Sequence, residues 1–243
     1  MRVTSYPAEW LALVEGVKPA LRLWRDRPKA AAEASAARAR GFAVETVDLP
    51  GDPPRTIVYV ARTPAAARNL RALEAPILPG RGVRALTVDD LAAHRGLGEA
   101  LGFPACCVDG FLGRVARGVT RLPSGTVAHE DFVAATIALS ASGRLDARCN
   151  IFAAGRNSCW LSHVPCALDC AASITYATAV RAAYARRSPA AVAQLDHDLA
   201  LDVAIGRDGR RGKFLDADAD ACRLPFAMGL DPARGLPVRS IAP

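Results

Sequence analysis

Residues 162–173 read S-H-V-P-C-A-L-D-C-A-A-S, with one proline and two cysteines within six residues. Pro165 favours the first turn of a helix, where the missing proline N–H would have no partner in any case. Cys166 and Cys170 are four residues apart, so on one helix they would share a face. A helix N-terminus favours the thiolate over the thiol, and thiolates bind metals or attack substrates. The stretch therefore predicts one half of a metal or cluster site, with His163 within reach of it.

The composition and length indicate a globular protein. The chain has 243 residues, of which 51% are hydrophobic and 23% are charged, so it can bury a sizeable core. Its first residues, M-R-V-T-S-Y-P-A-E-W, lack the apolar segment of a signal peptide, and no stretch approaches the roughly 20 apolar residues of a membrane span. We therefore expect a cytoplasmic protein without a membrane partner, in which the seven cysteines serve metal or redox chemistry.

The formal charge of +7 admits nucleic acid as a partner. The lysines are Lys18, Lys29 and Lys213, so arginine supplies most of the 31 basic residues, and these are spread along the chain rather than clustered. A solvated basic surface is therefore the favoured interpretation, and nucleic-acid binding is the less favoured one. No feature of the sequence indicates an oligomeric state.

The first third of the chain predicts a small α/β unit with two or three strands and covering helices. Its predicted elements are a helix within residues 1–30 that precedes a basic run at 22–29, a helix over 30–40, strands over 42–47 and 56–61, and a helix from Thr63-Pro64 to about Glu74. Short strand segments are also expected near Ile77, Val83 and Leu86. This unit contains neither G-x-G-x-x-G nor a P-loop, so it carries no nucleotide-binding fingerprint.

From Thr87 onward the pattern changes to helices, beginning where Thr87 and Asp90 closely match a capping box. The later helices are predicted to begin at Pro104 and at residues 130, 165 and 189, and the last two run to about residues 187 and 203. The predicted fold is therefore α+β and predominantly helical. A small N-terminal α/β unit over residues 1–86 is followed by a helical domain that carries the cysteine site over residues 87–243.

A second stretch, G-F-P-A-C-C at residues 102–107, repeats the arrangement of the first. In both, a proline stands where a helix should begin and a cysteine follows within the first turn. Two such helix ends that converge would form an electropositive pocket suited to a thiolate–metal centre. Neighbouring helical residues point about 100° apart, so Cys106 and Cys107 are expected to be unequal ligands. Cys107 is slightly favoured, because Cys106 would share its face with Phe103.

The predicted ligand set is Cys106 or Cys107 together with Cys166 and Cys170. Three thiolates with the imidazole of His163 would satisfy a zinc ion, whereas three thiolates alone would suit a [4Fe–4S] cluster with one iron open to a substrate. Two interpretations without a metal stay open, namely buried structural cysteines and thiol chemistry through a disulfide or covalent intermediate. The remaining cysteines, Cys149, Cys159 and Cys222, are interpreted as packing residues. Cys149 and Cys159 are also candidates for a fourth ligand.

Four polar side chains near these cysteines are further site candidates. His163 and Asp169 are predicted catalytic residues because both types exchange protons, although an aspartate near a helix start also compensates the helix dipole. Asn150 and Asn157 lie in the segment that leads to the site, and we predict that they bind a polar substrate or cofactor.

The two cysteine-bearing stretches together resemble an uncharacterised prokaryotic family, a domain of unknown function. Its members carry a G-[FY]-P-x-C-C element and an S-H-x-P-C-x-x-x-C element, which match residues 102–107 and 162–170 of this chain. The resemblance covers roughly residues 95–180. It implies that the cysteines belong to one recurring constellation, and it implies no activity.

Three functions compete on this basis. The first is an iron–sulfur enzyme acting on a small-molecule substrate, in which an open iron acts as a Lewis acid in a lyase or desulfuration step and His163 moves a proton or ligates. The second is a binding module for RNA or protein whose zinc holds two helices together. The third is a metal-free thiol enzyme. The first is narrowly favoured, because several thiolates are expected to converge on one pocket.

Overall fold

The computed structural model describes residues 7–51, 54–78, 87–116, 146–149 and 159–200, together with four two-residue strand segments. The α-helices of this part of the chain are α1 (Pro7–Val14), α2 (Arg27–Arg38), α3 (Pro64–Glu74), α4 (Val88–Ala100), α5 (Ala105–Ala116), α6 (Ala171–Ala185) and α7 (Pro189–Ala200), with 3₁₀ turns at Ala75–Ile77 and Ala147–Cys149. The strands are β1 (Ala20–Asp26), β2 (Ala43–Leu49), β3 (Arg55–Ala61), β4 (Val203–Ala204), β5 (Lys213–Phe214), β6 (Leu230–Asp231) and β7 (Leu236–Pro237). The predicted fold class, α+β and predominantly helical, is confirmed.

The backbone groups into two compact units. One is Ala12–His129, and the other joins Met1–Leu11 to Glu130–Pro243. The division into domains expected after residue 86 stays a prediction. In the described part of the chain, none of the helices combines the length and the apolar character needed to cross a membrane.

In the first unit, β3 is the central strand of a sheet in the order β1-β3-β2. Both neighbours run antiparallel to β3, with Leu21 opposite Val60 on one side and Val44 opposite Val60 on the other. Residues 56–61, T-I-V-Y-V-A, are all buried, so both faces of β3 are covered. This near-continuous apolar run is the pattern of a central strand, and the predicted strands over 42–47 and 56–61 are confirmed.

One face of this sheet packs against α3 and α4. Ile57 and Tyr59 belong to the same hydrophobic cluster as Leu70 of α3 and Leu97 of α4. Thr63 caps α3 through its hydroxyl, as predicted. The packing fixes the position of α4, and thus the point from which the chain enters the first cysteine-bearing stretch.

β1 differs from the prediction for these residues, which is a helix within residues 1–30 followed by a basic run at 22–29. The segment A-L-R-L-W-R-D buries Leu21 and Leu23, while Arg22 turns the other way and its Nε donates to both carboxylate oxygens of Glu74, at 2.8 and 2.7 Å. Alternation of leucine with other residues is the period-two pattern of a strand. The helix expected within residues 1–30 is limited to α1.

Other outcomes concern the ends of elements. Thr87 and Asp90 form the predicted capping box at the start of α4, with each side chain accepting a hydrogen bond from the backbone N–H of the other. Ile77 lies in a 3₁₀ turn rather than in a strand. Three predicted features lie outside the described residues: the strand segments near Val83 and Leu86 and the helix over 130–142.

In the second unit, α6 and α7 are joined by a short turn at residues 186–188, and Trp160 packs on this pair of helices. Trp160 is buried, its Nε1 donates to Asp196 Oδ1 at 3.2 Å, and its ring meets that of Tyr184 edge-on at 5.7 Å. Arg181 of α6 donates to the same carboxylate of α7, with Nη2 2.6 Å from Oδ2. The segment before the second cysteine pair is therefore anchored to both helices.

Candidate metal centre

A Schellman motif connects α4 to the first cysteine pair. Gly102 has φ +78°, and its N–H donates to the carbonyl of Glu99 at 2.9 Å. The N–H of Phe103 donates to the carbonyl of Gly98 at 3.0 Å. These are the two reversed hydrogen bonds that close a helix C-terminus with a left-handed glycine. The G-F-P part of the motif therefore has a structural explanation, because it ends α4 and sets the direction in which α5 begins.

Close contacts leave no room for larger residues at this joint. A Cβ on Gly102 would lie 2.5 Å from Cδ of Pro19, and a Cβ on Gly98 would lie 2.9 Å from Cγ2 of Val108 in α5. Separations this short between carbon atoms are repulsive. Gly98 thus allows α4 and α5 to approach each other closely, and Gly102 allows the turn between them to lie against Pro19.

Cys106 and Cys107 lie in the first turn of α5. The carbonyl of Pro104 accepts hydrogen bonds from the N–H groups of Cys107 and Val108, at 2.9 and 3.0 Å, which places Pro104 at the N-cap. Cys106 is exposed and Cys107 is 2% exposed, yet their Sγ atoms are 3.9 Å apart. Cys106, which was expected to share its face with Phe103, is therefore the exposed member of the pair, and the two sulfurs lie close together.

The second cysteine pair differs from its prediction, because the helix expected to begin at Pro165 begins at Ala171. The carbonyl of Leu168 accepts a hydrogen bond from the N–H of Asp146 at 2.9 Å, in place of an intrahelical donor, and the Leu168 side chain is buried. Cys170 is the N-cap of α6, where its carbonyl accepts from the N–H of Ile174 at 2.9 Å. Cys166 therefore lies in the preceding loop, and the two cysteines do not share a helix face.

The sulfurs of both pairs come together. Among the described residues, the Sγ atoms of Cys106, Cys107, Cys166 and Cys170 all lie within 4.8 Å of one another. Cys107 and Cys170 are buried, Cys166 is half-buried and Cys106 is exposed. Such a group of four thiols could hold a metal ion, and it contains every cysteine of the predicted ligand set.

His163 is not a member of this group of described residues. Its Nε2 is 3.0 Å from Oγ of Ser173, and its ring meets that of Tyr176 edge-on with centroids 5.5 Å apart. The hydroxyl groups of Tyr176 and Ser162 are 3.3 Å apart. The catalytic role predicted for His163 stays a prediction, whereas its hydrogen bond to α6 is a feature that the spacing of the sequence did not reveal.

Asp169 is half-buried in the irregular segment before α6, and its predicted catalytic role also stays a prediction. Asn150 and Asn157, predicted to bind substrate or cofactor, lie outside the described residues, as does Cys222. Cys149 and Cys159 are buried and are not members of the four-sulfur group. Cys159 Sγ donates to the carbonyl of Leu161 at 2.9 Å.

Asp146 holds the turn that supports the loop of the second pair. Its carboxylate accepts hydrogen bonds from the backbone N–H and the guanidinium of Arg148, with Nη2 2.6 Å from Oδ2. The hydrogen bonds from Arg148 keep the pKa of the Asp146 carboxyl below its usual value. Arg148 also donates to Thr178 of α6 at 3.1 Å. The Asp146 N–H, which donates to the carbonyl of Leu168, is thereby fixed relative to α6.

Comparisons with protein-family models, with curated proteins and with solved structures found no match for this chain.

Proposed function

We propose that this protein binds one zinc ion through Cys106, Cys107, Cys166 and Cys170, and that the ion is structural. The observation that supports this is the spacing of the sulfurs, all within 4.8 Å of one another. Zinc–sulfur bonds of about 2.3 Å in a tetrahedron separate the sulfurs by about 3.8 Å. The distance of 3.9 Å between the sulfurs of Cys106 and Cys107 agrees with this value.

The same spacing favours a single ion over the [4Fe–4S] cluster expected from the sequence. A cluster inserts several iron and sulfide atoms between its cysteine ligands, so their sulfurs lie farther apart than the ligands of one ion. Four thiolates also complete the coordination of zinc, and a closed set leaves no position for a substrate. A zinc site closed in this way favours a binding module for RNA or protein over an enzyme that acts on a small molecule.

The position of the thiols supports metal binding rather than packing alone. Cys106 and Cys107 occupy the first turn of α5, where the backbone N–H groups and the helix dipole stabilise negative charge. Cys170 is the N-cap residue of α6. Zinc binds cysteine in its negatively charged form, so such positions suit the ligands of a bound ion. Buried structural cysteines have no need of this placement.

Metal analysis of anaerobically purified protein tests the proposal. We expect one zinc per chain and, after replacement by Co²⁺, the visible and thiolate-to-cobalt bands of a tetrahedral thiolate site. Cys166→Ser should lower zinc content and weaken these bands. The matched control is Cys159→Ser, which changes a buried cysteine outside the group and should bind zinc as the parent chain does.

Each alternative gives a different result in this experiment. A brown protein that contains several iron atoms and absorbs near 400 nm would show that the site holds an iron–sulfur cluster and not zinc. A folded protein that takes up neither zinc nor iron, with one thiol alkylated unusually fast, would favour the thiol enzyme.

A further inference from the structure

The loop that carries Cys166 and Cys170 is closed by a hydrogen bond between its two ends. Nε2 of His163 lies 3.0 Å from Oγ of Ser173, ten positions further along the chain. Ser173 lies in the first turn of α6 and is 0% exposed, so its hydroxyl is a fixed point. Both cysteines stand between these residues, and the hydrogen bond therefore holds the beginning of their loop against the first turn of α6.

The imidazole is held on its ring as well as at its nitrogen. The rings of His163 and Tyr176 meet edge-on, with an interplanar angle of 76°. Edge-to-face ring contacts of this kind stabilise a pair beyond the area that they bury. Tyr176 lies one turn after Ser173 on α6, so the helix contacts the imidazole through two successive turns.

Within the closed loop, backbone hydrogen bonds set the path between the two cysteines. The N–H of Cys170 donates to the carbonyl of Ala167 at 3.1 Å, and the carbonyl of Leu168 accepts from Asp146 at 2.9 Å. The middle and the end of the loop are therefore held by the main chain. The His163–Ser173 hydrogen bond holds its beginning, the part that leads into Cys166.

We propose that His163 is a positioning residue, which with Ser173 holds Cys166 and Cys170 in place for the metal ion without ligating it. This inference rests on the metal site proposed above. A loop already closed loses less conformational freedom when the ion binds, so affinity rises without a new bond to the metal. Residues around a metal site that orient its ligands typically change affinity by 10–100-fold when they are replaced.

Zinc competition against a chromogenic chelator tests the role of the hydrogen bond. We expect His163→Ala and Ser173→Ala each to weaken zinc binding by about 10–100-fold. The double variant should bind no more weakly than the weaker single variant, because both changes remove the same hydrogen bond. The matched control is Ser162→Ala, which removes the neighbouring hydroxyl, 3.3 Å from that of Tyr176, and should leave the affinity unchanged.

Two further measurements separate a positioning role from ligation and from general damage. His163→Gln places an amide nitrogen near the position of Nε2, and we expect it to recover most of the lost affinity. The Co²⁺ charge-transfer bands of His163→Ala should match those of the parent chain, because the ligands stay the same. Altered bands would show that His163 ligates, and unchanged zinc affinity in both single variants would show that the hydrogen bond has no such role; either result overturns the inference.

Zinc and Co²⁺ binding by the parent chain separates failure of the metal site from failure of the role inferred for His163. A parent chain that takes up neither zinc nor Co²⁺ contradicts the metal site and the inference together. A parent chain that binds zinc while His163→Ala and Ser173→Ala bind it equally well contradicts the inference alone. Far-UV circular dichroism confirms that each variant is folded, and His163→Gln provides the comparison if the alanine variant is not.

Discussion

Cys106 and Cys107 are chemically identical neighbours whose sulfurs differ in access to solvent. Cys106 is exposed, and Cys107 is 2% exposed. Alkylation requires both thiolate character and access. In folded, metal-free protein we therefore expect iodoacetamide to modify Cys106 well before Cys107, and bound zinc to protect both.

Fragment-ion mass spectrometry over time distinguishes the two sites, and the single variants Cys106→Ser and Cys107→Ser verify the assignment. Equal rates for the two thiols in folded protein would contradict the difference in burial. Equal rates with and without zinc would count against coordination of Cys106.

Tyr59 predicts a dependence of stability on alkaline pH. Burial, and then the negative charge of Glu74, raise the pKa of the Tyr59 hydroxyl above its usual value of 10. A raised folded-state pKa gives stability that is fully present below the unfolded pKa and is lost as the pH rises above it. Relative to Tyr59→Phe, which cannot ionise, the parent chain should lose about 1.4 kcal/mol per pH unit above about pH 10.

Urea unfolding of the parent chain and of Tyr59→Phe at pH 8, 10 and 11 measures this difference. Changes common to both chains, such as lysine titration, cancel in the comparison. A free-energy difference that stays constant from pH 8 to pH 11 would contradict the buried, neutral phenol.

At the scale of elements, the features that depend on near neighbours in sequence could be predicted. The capping box of Thr87 with Asp90 and the cap at Thr63 are formed by residues three apart, so the sequence contains the whole interaction. The helix start expected at Pro165 failed for the opposite reason. The hydrogen bond from Asp146 to the Leu168 carbonyl comes from a distant segment, and nothing local indicates it.

Two glycines allow the joint between α4 and α5 to be tested with an internal control. Gly102 and Gly41 have almost the same φ, +78° and +81°, but a Cβ on Gly102 would lie 2.5 Å from Pro19, whereas a Cβ on Gly41 meets no described atom within 4 Å. Gly41→Ala should cost about 1–2 kcal/mol of unfolding free energy from backbone strain alone. Gly102→Ala should cost this and about 1–3 kcal/mol more, because the joint is overpacked.

Urea unfolding of both variants gives the two values directly. Equal losses would mean that Pro19 moves aside freely and that Gly102 is needed only for its backbone angle. A larger loss in Gly102→Ala, together with weaker zinc binding, would connect the joint to the placement of the Cys106–Cys107 turn.

At the scale of the whole molecule, the sequence identified which cysteines form the group but not how they are arranged. The motifs selected Cys106, Cys107, Cys166 and Cys170, because a proline closely precedes the cysteines in both stretches, although only Cys106 and Cys107 lie in the first turn of a helix. Their mutual distances depend on tertiary structure between segments far apart in the chain. The expectation that only one of Cys106 and Cys107 faces the site assumed fixed side-chain directions, whereas both sulfurs lie in the same group.

Removing the metal should affect the two cysteine-bearing segments more than the central strand β3. The first turn of α5 and the loop over residues 163–170 supply the thiols, whereas β3 is buried by the apolar cluster that contains Ile57 and Tyr59. Amides exchange with solvent according to the local cost of opening. Chelation should therefore speed hydrogen exchange strongly in the two cysteine-bearing segments and little in β3. Hydrogen-exchange mass spectrometry with and without zinc measures this, with Cys166→Ser as the chain in which chelation changes little. Uniform acceleration including β3 would show that the ion is required for the entire fold, and no acceleration in either cysteine-bearing segment would contradict a metal there.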